Sequence, residues 1–492
     1  MDNQKIRALK NEDHYATKKK SYDVLNCQET TVNQSKHQKE FILTGNLTTV
    51  MWKLSLPAIL AMVLYGLNAF MDTIYIGQLL NETALSGVAL AYPLTSMAMG
   101  VGSWVGTGAG NYLSILLGKN DAATLKKVLP NATLFTIIGS LVFALPCYLF
   151  ASPLIQMMGG SGEILEYGVR YFKITLLAFP LWVFGLQLNM IVRAEGKMMT
   201  AALFMAYGLI VNLLLTPIAI IYLNMDVDGA AWATNIGMLV YCIVGYFYFL
   251  RGKASFESNI NGIFYDSVVF KSILRLGFPG FILSLMGLIQ AIVVFNAVVD
   301  YGTDEDLAFF AAANRILLFL MTPLFGLMRA LQPVEGVNFG AGQYERVKKS
   351  FLLFCKTGLW LVLPFWLFLM LFPQLGIQMV LPNKIMTPKD LIDFRIYVAI
   401  IPFLPFVFMA LTHLPAIEQP KYASIIGVAR QLAFYVPVML LLPKWMGISG
   451  VYFGSTIIDI VVTLWLGYIV YKSFQGLEKK TLAAVKPIDT HT

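Results

Sequence analysis

Lys53-Leu-Ser-Leu-Pro57 begins a long apolar run, and a close copy, Arg275-Leu-Gly-Phe-Pro279, begins another such run 222 positions later. Three further matches keep an offset of 222 or 221: residues 172–174 with 394–396, Lys126-Lys127 with Lys348-Lys349, and Gly229 with Gly450. Single matches arise by chance in apolar sequence, but a constant offset across both halves indicates that one unit was duplicated. The repeat therefore predicts two halves with the same internal structure.

Each half contains six apolar runs of roughly 20 residues or more, the length that a helix needs to cross about 30 Å of hydrocarbon. The runs are too long for barrel strands and show no alternation of polar and apolar residues. The predicted spans are 54–79, 86–116, 129–151, 168–192, 199–223, 229–250, 272–299, 307–333, 351–372, 394–416, 422–442 and 448–471.

The composition agrees with a membrane protein and disfavours a soluble enzyme. Of 492 residues, 57% are hydrophobic and 13% are charged, about half the charged share of soluble domains. The four cysteines are scattered, without the paired spacing of a zinc site. No HExxH, GxSxG or Walker motif occurs, so the sequence predicts neither an enzyme nor a cofactor.

The repeat and the spans together predict an all-α polytopic protein with two six-helix lobes. Because six is even, both lobes have the same topology, and the pseudo-two-fold axis lies along the membrane normal. The expected segments are a disordered cytoplasmic tail over 1–45, an N-terminal lobe over 46–250, a cytoplasmic linker over 251–271, a C-terminal lobe over 272–472 and a cytoplasmic tail over 473–492.

Basic residues concentrate in the loops on the side of the termini, which predicts that both termini are cytoplasmic. The net charge of +8 is explained by these loops and the tail, so no nucleic-acid partner is expected. The loop and terminal residues concerned include Lys119, Lys126, Lys127, Lys197, Arg251, Lys253, Lys271, Arg275, Arg346, Lys348, Lys349, Lys421, Lys472, Lys479 and Lys480.

Asp72 is the leading functional candidate, because placing an ionisable side chain inside a membrane helix costs free energy and such residues usually have a functional role. It lies well inside the first span, one helical turn after Asn68. The sequence does not show which partners the other ionisable residues within the spans have. These residues are Arg315, Glu335, Lys356, His413, Arg430 and Asp459. His413 is interpreted as a hydrogen-bonded histidine of the bundle.

Several motifs resemble those of the multidrug and toxic compound extrusion (MATE) family, prokaryotic type. They are Asp72-Thr73 before Gly77, Arg193-Ala-Glu195-Gly196-Lys197, Asn212-Leu-Leu-Leu-Thr216-Pro217, Gly229-Ala-Ala-Trp-Ala-Thr234 and Gln332-Pro333-Val-Glu335-Gly336-Val-Asn338-Phe-Gly340-Ala341. The resemblance covers all twelve spans. It implies a V-shaped arrangement of the two lobes and export of organic compounds driven by inward flow of Na⁺ or H⁺.

The resemblance also implies a coupling site, with Asp72 as its carboxylate and Asn212, Thr216 and Thr234 in the same pocket. Thr216 departs from the family pattern, which commonly has a second acid there, and the lost charge favours H⁺. Oxygens from the three neutral residues could still complete a Na⁺ shell around Asp72. Glu335 is a second departure, in a slot that is usually apolar.

The leading hypothesis is an antiporter that exports small lipophilic, often cationic, compounds by alternating access. Aromatic and Met side chains bind such compounds loosely, and the candidate substrate residues are Tyr65, Asn68, Tyr75, Met205 and Tyr207. A monomer in the bacterial inner membrane is expected. The alternative is a flippase for lipid-linked precursors, which requires a basic cavity in which Arg315, Arg329 and Arg430 converge.

Overall fold

A computed structural model describes residues 37–80, 82–381 and 385–485, and the chain is helical throughout these ranges apart from short connections. We number a short helix over 37–44 as α1. The others are α2 Leu47–Leu79, α3 Glu82–Lys119, α4 Ala122–Leu149, α5 Ala151–Met157, α6 Gly162–Leu177, α7 Phe179–Ala194, α8 Met198–Pro217, α9 Asp226–Leu250, α10 Ser267–Tyr301, α11 Asp304–Gly340, α12 Tyr344–Leu371, α13 Pro373–Gln378, α14 Pro388–Val398, α15 Leu404–Ala416, α16 Pro420–Val428, α17 Val436–Met446 and α18 Ser449–Val485.

Twelve membrane spans are present in the described residues when one bent helix pair is counted as a span. Eleven segments are long and apolar enough to cross a bilayer, and α6 with α7, bent by 52°, forms the twelfth. The predicted fold, an all-α polytopic bundle of twelve spans in two lobes, is confirmed.

Matching irregularities in the two halves follow from the repeat. The fourth span breaks between α6 and α7 just before Pro180, and the tenth breaks between α14 and α15 through a 3₁₀ turn that contains Pro402. Proline removes one backbone donor and crowds the preceding turn, so a continuous helix is disfavoured at both places. The fifth and eleventh spans also contain π-helical turns, at Ile218–Tyr222 and Ala429–Tyr435, but these two turns are not related by the repeat offset.

Each lobe has its own apolar core, and the first turns of α2 belong to the core of the C-terminal lobe. Val50, Met51, Leu54 and Ala58 pack with side chains of α11, α12, α15 and α18. The N-terminal core instead joins the helices from α3 to α9 with Val269 and Ile273 at the start of α10. The second helix therefore begins in one lobe and continues along the other.

The short helix α1 joins the two lobes at the face that carries the termini. Gln38 donates to the Gly196 carbonyl of the N-terminal lobe at 3.1 Å, while Arg346 of the C-terminal lobe donates to the Ile42 carbonyl at 2.9 Å. Ile42 is 1% exposed. The predicted disordered tail over 1–45 is therefore corrected for residues 37–45, where burial of Ile42 offsets the cost of ordering, and residues 1–36 lie outside the described part.

The connector between the lobes is hydrogen-bonded to the N-terminal lobe along its length. Glu195 accepts from the Ser255 amide at 2.7 Å, and Lys197 donates to the Lys253 carbonyl at 2.6 Å. At its end, the Asp266 amide donates to Asn131 at 2.8 Å. The connector covers residues 251–266 rather than the predicted 251–271, because Asp266 accepts from the first amides of α10 and starts that helix early.

Asp266 also forms an ion pair with Lys127 at 2.9 Å, and the hydrogen bond from this ammonium, with those from the Val269 and Val268 amides, holds the pKa of Asp266 below its ordinary value. A lowered folded-state pKa contributes stability above the unfolded value of about 3.9, and the contribution is lost as pH falls through the lower folded value. We expect Asp266→Asn to lower Tm at neutral pH and to differ progressively less from the parent below about pH 4. Thermal unfolding of the purified protein across this range measures the difference.

The control for Asp266→Asn is Glu257→Gln, which alters an exposed carboxylate of the same connector. It should lower Tm less than Asp266→Asn at neutral pH. A Tm difference between parent and Asp266→Asn that stays constant from neutral to acid pH would contradict the assignment.

The two lobes meet along a seam between α3 and the helices α10 and α11, in the half of the bundle near the termini. A methyl group built on Gly277 would lie 1.8 Å from the Trp104 carbonyl oxygen, and one on Gly340 would lie 2.1 Å from that of Ile115. Trp104 also donates its indole N–H across the seam to the Leu274 carbonyl at 2.9 Å. Backbones approach this closely only because the glycines have no side chain.

The last helix, α18, continues well past the predicted end of the C-terminal lobe at residue 472. Its 37 residues make a rod of about 55 Å, longer than the roughly 30 Å hydrocarbon layer. Ser473 and Leu477 are buried against the lobe, and Glu478 pairs with Lys348. The segment predicted as a tail over 473–492 is thus helical to residue 485, and residues 486–492 lie outside the described part.

Candidate functional site

A buried polar site in the N-terminal lobe brings together three of the predicted residues. The Asn212 side-chain amide donates to the Thr234 hydroxyl at 3.2 Å and approaches the Thr216 hydroxyl at 3.5 Å. Thr216 and Thr234 each donate to a carbonyl one turn earlier on their own helix, at 2.9 and 3.0 Å. The threonine oxygens are therefore oriented as acceptors, and the site offers neutral oxygen atoms inside an apolar lobe.

The helix that carries Asp72 packs against the two helices that carry this site. Helix α2 contacts α8, which holds Asn212 and Thr216, and α9, which holds Thr234. The side chain of Asp72 lies outside the described part of the chain. Its role as the coupling carboxylate, and as a Na⁺ ligand, stays a prediction, as do the roles of the three neutral residues.

The predicted substrate residues occupy different environments. Tyr65, Asn68 and Tyr75 on α2 are half-buried, Met205 packs against the core of the N-terminal lobe, and Tyr207 is exposed. Tyr65 and Asn68 are three residues apart, so they lie on one face of α2. Nothing in this arrangement tests substrate binding.

The C-terminal lobe contains a polar centre that the sequence did not predict, and we call Gln290, Arg430, Gln431 and Asp459 the C-lobe centre. Arg430 contacts Asp459 through two nitrogens, at 2.9 and 2.7 Å. The amide oxygen of Gln290 accepts from Arg430 at 3.2 Å and from Gln431 at 2.7 Å. The sequence marked Arg430 and Asp459 as ionisable residues in spans, but it did not indicate that they pair.

A second buried network lies nearer the termini, between α11, α15 and α18. The imidazole of His413 is 2.9 Å from Glu335 through Nδ1 and 3.2 Å from Ser473 through Nε2. Both His413 and Glu335 are 0% exposed, and the imidazole packs against Phe351 and Phe474. The interpretation of His413 as a hydrogen-bonded bundle residue agrees with this geometry, and Glu335 is its partner.

Removing one member of this pair should destabilise the protein more than removing both. His413→Leu leaves the buried Glu335 without its partner, a loss of about 3–5 kcal/mol for a broken buried pair. The double variant Glu335→Leu, His413→Leu has no such orphaned group and should recover most of the stability. Thermal unfolding in detergent measures both, and a double variant no more stable than His413→Leu would refute the pairing energetics.

The three arginines required by the flippase alternative do not gather in one place. Arg315 and Arg329 lie on α11, 14 residues apart, which separates them by about 21 Å along the helix. Arg315 is exposed, Arg329 contacts Met190 of the N-terminal lobe, and Arg430 is held by Asp459. These residues therefore form no common basic cavity.

Among the described residues, no group of three or more His, Cys, Asp and Glu side chains has the geometry of a metal site. Each lobe instead contains buried polar sites between its membrane helices, among them Asn212 with Thr234 in the first lobe and Arg430 with Asp459 in the second. Two bundles of the same topology with polar sites inside the membrane are typical of secondary transporters. The fold and its sites therefore define a multi-pass membrane transporter.

Comparison with known proteins identifies the family. The MatE family model matches residues 57–218 and 273–440, one segment in each lobe, and the chain belongs to the MatE family. This confirms the resemblance seen in the sequence.

Curated relatives and solved structures agree with the family match. The multidrug export protein MepA of Staphylococcus haemolyticus is 24% identical over 424 residues, which cover 86% of this chain and 92% of the relative. MepA of Staphylococcus aureus is also 24% identical, over 432 residues covering 86% and 93%. A crystal structure of MATE in the bent conformation superimposes with a TM-score of 0.84 at 23% identity, over 90% of this chain and 99% of that one. An outward-facing multidrug resistance MATE family transporter of the MOP superfamily has a TM-score of 0.81 at 23% identity, over 89% and 98%.

Proposed function

We propose that this protein exports small lipophilic, often cationic, organic compounds in exchange for H⁺ or Na⁺. The observation that supports it most directly is the buried oxygen site of Asn212, Thr216 and Thr234 beside the helix that carries Asp72. Such a site is costly inside an apolar lobe, and a carboxylate next to it would supply the charge that attracts a cation. The printed function of the MepA relatives, multidrug export, supports the same substrate class.

The proposed mechanism is alternating access, in which the seam between α3, α10 and α11 closes one side of the bundle. The glycine contacts described above seal the side that carries the termini. The concentration of Lys and Arg on this side supports a cytoplasmic location for it in a bacterial plasma membrane. We propose that the protein acts as a monomer, because each chain contains both lobes.

Transport into proteoliposomes with separately imposed gradients tests this proposal. The protein is reconstituted, a fluorescent organic cation is added, and either a pH gradient or a Na⁺ gradient is applied. We expect one of the two gradients to drive substrate movement, and we expect the ionophore that dissipates this gradient to abolish the movement. Equal movement without any gradient, or none under both, would contradict the proposed antiport.

A further inference from the structure

The C-lobe centre has the geometry of a closed ion pair inside the second lobe. Two nitrogens of Arg430 point to one oxygen of Asp459, and a third nitrogen donates to Gln290. The guanidinium also stacks on Tyr435, with its carbon 5.0 Å from the ring centroid. The side chains of Arg430 and Asp459 are 27% and 13% exposed, so the pair is largely shielded from solvent.

The π-helical turn at Ala429–Tyr435 explains how the pair and the amides come together. A π turn widens the helix and changes the direction in which successive side chains point. Here the consecutive residues Arg430 and Gln431 both donate to the same oxygen of Gln290. The other titratable side chains near Arg430 are Tyr435 and Tyr397, and the Tyr397 hydroxyl donates to Asn314 at 3.2 Å.

The internal repeat relates helices of this centre to helices of the polar site in the first lobe. The offset of 222 pairs Asn68 with Gln290, one turn before Asp72. The offset of 221 that pairs Gly229 with Gly450 relates α9, which holds Thr234, to α18, which holds Asp459. The fifth helix of each unit adds an amide, Asn212 in one lobe and Gln431 in the other. Both lobes thus have amides on the first and fifth helices of the repeat, whereas the carboxylates lie on different helices, Asp72 on the first and Asp459 on the sixth.

The lobes differ in what compensates the carboxylate. In the second lobe the compensating charge is Arg430, a guanidinium that stays protonated at all ordinary pH values and is covalently attached. A free Na⁺ or proton would have to displace a cation that is already held by two contacts to Asp459, a contact to Gln290 and a stacking contact. Arg430 outcompetes a free cation because its covalent attachment gives it a high effective concentration beside Asp459.

We propose that Arg430 is a built-in cation that occupies the C-lobe centre, so that Asp459 exchanges no external cation and coupling is confined to the first lobe. This inference rests on the proposed function, because it concerns the number of coupling ions. It makes Arg430 the residue that sets the stoichiometry. With a purely structural ion pair, Asp459 would only become protonated when Arg430 is removed, whereas the proposal predicts a new Na⁺ site.

The test counts Na⁺ bound to the purified full-length protein, with radioactive Na⁺ at about pH 8. The background carries Asp72→Asn, which removes the first-lobe carboxylate. In this background we expect no signal that depends on Asp459. Adding Arg430→Met should create one Na⁺ site, because the oxygens of Asp459 and Gln290 that accept from Arg430 then lack their cation. Further addition of Asp459→Asn should abolish the new signal.

Arg430→Lys is the matched control, because a tethered ammonium still compensates Asp459 and should create no site. Size-exclusion profiles and Tm values show which variants are folded. A folded Arg430→Met variant without a new Asp459-dependent signal would overturn the proposal. An Asp459-dependent Na⁺ signal that is already present in the Asp72→Asn background or in Arg430→Lys would also overturn the proposal. These two comparisons can therefore refute it even where Arg430→Met does not fold.

The failure of the proposed function looks different from the failure of this inference. If Asp72→Asn still binds the driving cation and exports substrate under a gradient, Asp72 is not the coupling carboxylate. The effect of removing Arg430 is measured as a difference in Na⁺ binding between proteins that differ only at this residue. It therefore tests the present inference even if Asp72 is not the coupling carboxylate.

Discussion

Asp72→Asn should abolish gradient-driven export. The asparagine keeps the shape of the side chain but removes its charge, and the neighbouring site offers only the neutral oxygens and amide of Asn212, Thr216 and Thr234. A cation entering this site without a counter-charge loses about 3 kcal/mol, the cost of an uncompensated charge in a membrane helix, or roughly 100-fold in affinity. Export of a fluorescent cation from vesicles under imposed pH and Na⁺ gradients measures the loss.

Asp300→Asn is the control for this experiment, because it removes an exposed carboxylate near the far end of α10. It should export at the rate of the parent. Export by Asp72→Asn at the parental rate, under either gradient, would show that another group couples the ion.

Gly277→Ala should prevent closure of the seam between the lobes. The added methyl group would lie 1.8 Å from the backbone oxygen of Trp104, and neither backbone can move without separating α3 from α10. We expect export to fall at least about tenfold, a shift of about 1.4 kcal/mol in the closed-state population. Ser114 is buried in the seam. A cysteine introduced at this position should react about tenfold faster with a thiol reagent in the Gly277→Ala protein than in the parent.

The labelling is done with Ser114→Cys in a background without the native cysteines. Gly287→Ala is the matched control, since it lies on the same helix and its methyl group meets no atom within 4 Å. It should leave export and labelling unchanged. If Gly277→Ala labels at the parental rate and exports normally, the seam is not the closed gate of the bundle.

Most of the architecture follows from the sequence because membrane helices are selected by length and hydropathy, both of which are local properties. The breaks near Pro180 and Pro402 are local as well, since proline acts on its own turn. The π turn at Ala429–Tyr435 has no comparable residue signal. It depends on hydrogen-bond register and on the packing of neighbouring helices.

The polar sites were predicted unevenly for a related reason. Asn212, Thr216 and Thr234 were grouped by family resemblance, and the structure brings them together. The pairs Arg430 with Asp459 and His413 with Glu335 join different helices, 29 and 78 residues apart. A sequence shows that each of these groups needs a partner, but helix packing decides which one it finds.

The contacts of the connector limit where the rotation required by the proposed alternating access could occur. Ser255, Lys253 and Asp266 are all hydrogen-bonded to the N-terminal lobe. Residues 251–266 are therefore held as part of that lobe and do not act as a flexible linker between the lobes. A rotation of the C-terminal lobe would therefore pivot after residue 266, in the first turns of α10, where Val269 and Ile273 still pack with the N-terminal core. Gly277 lies about 15 Å from this pivot along the helix, so a rotation of 10°, for example, shifts it by less than about 3 Å. Such rotations would move the glycine contacts of the seam only slightly and the far end of α10 by much more.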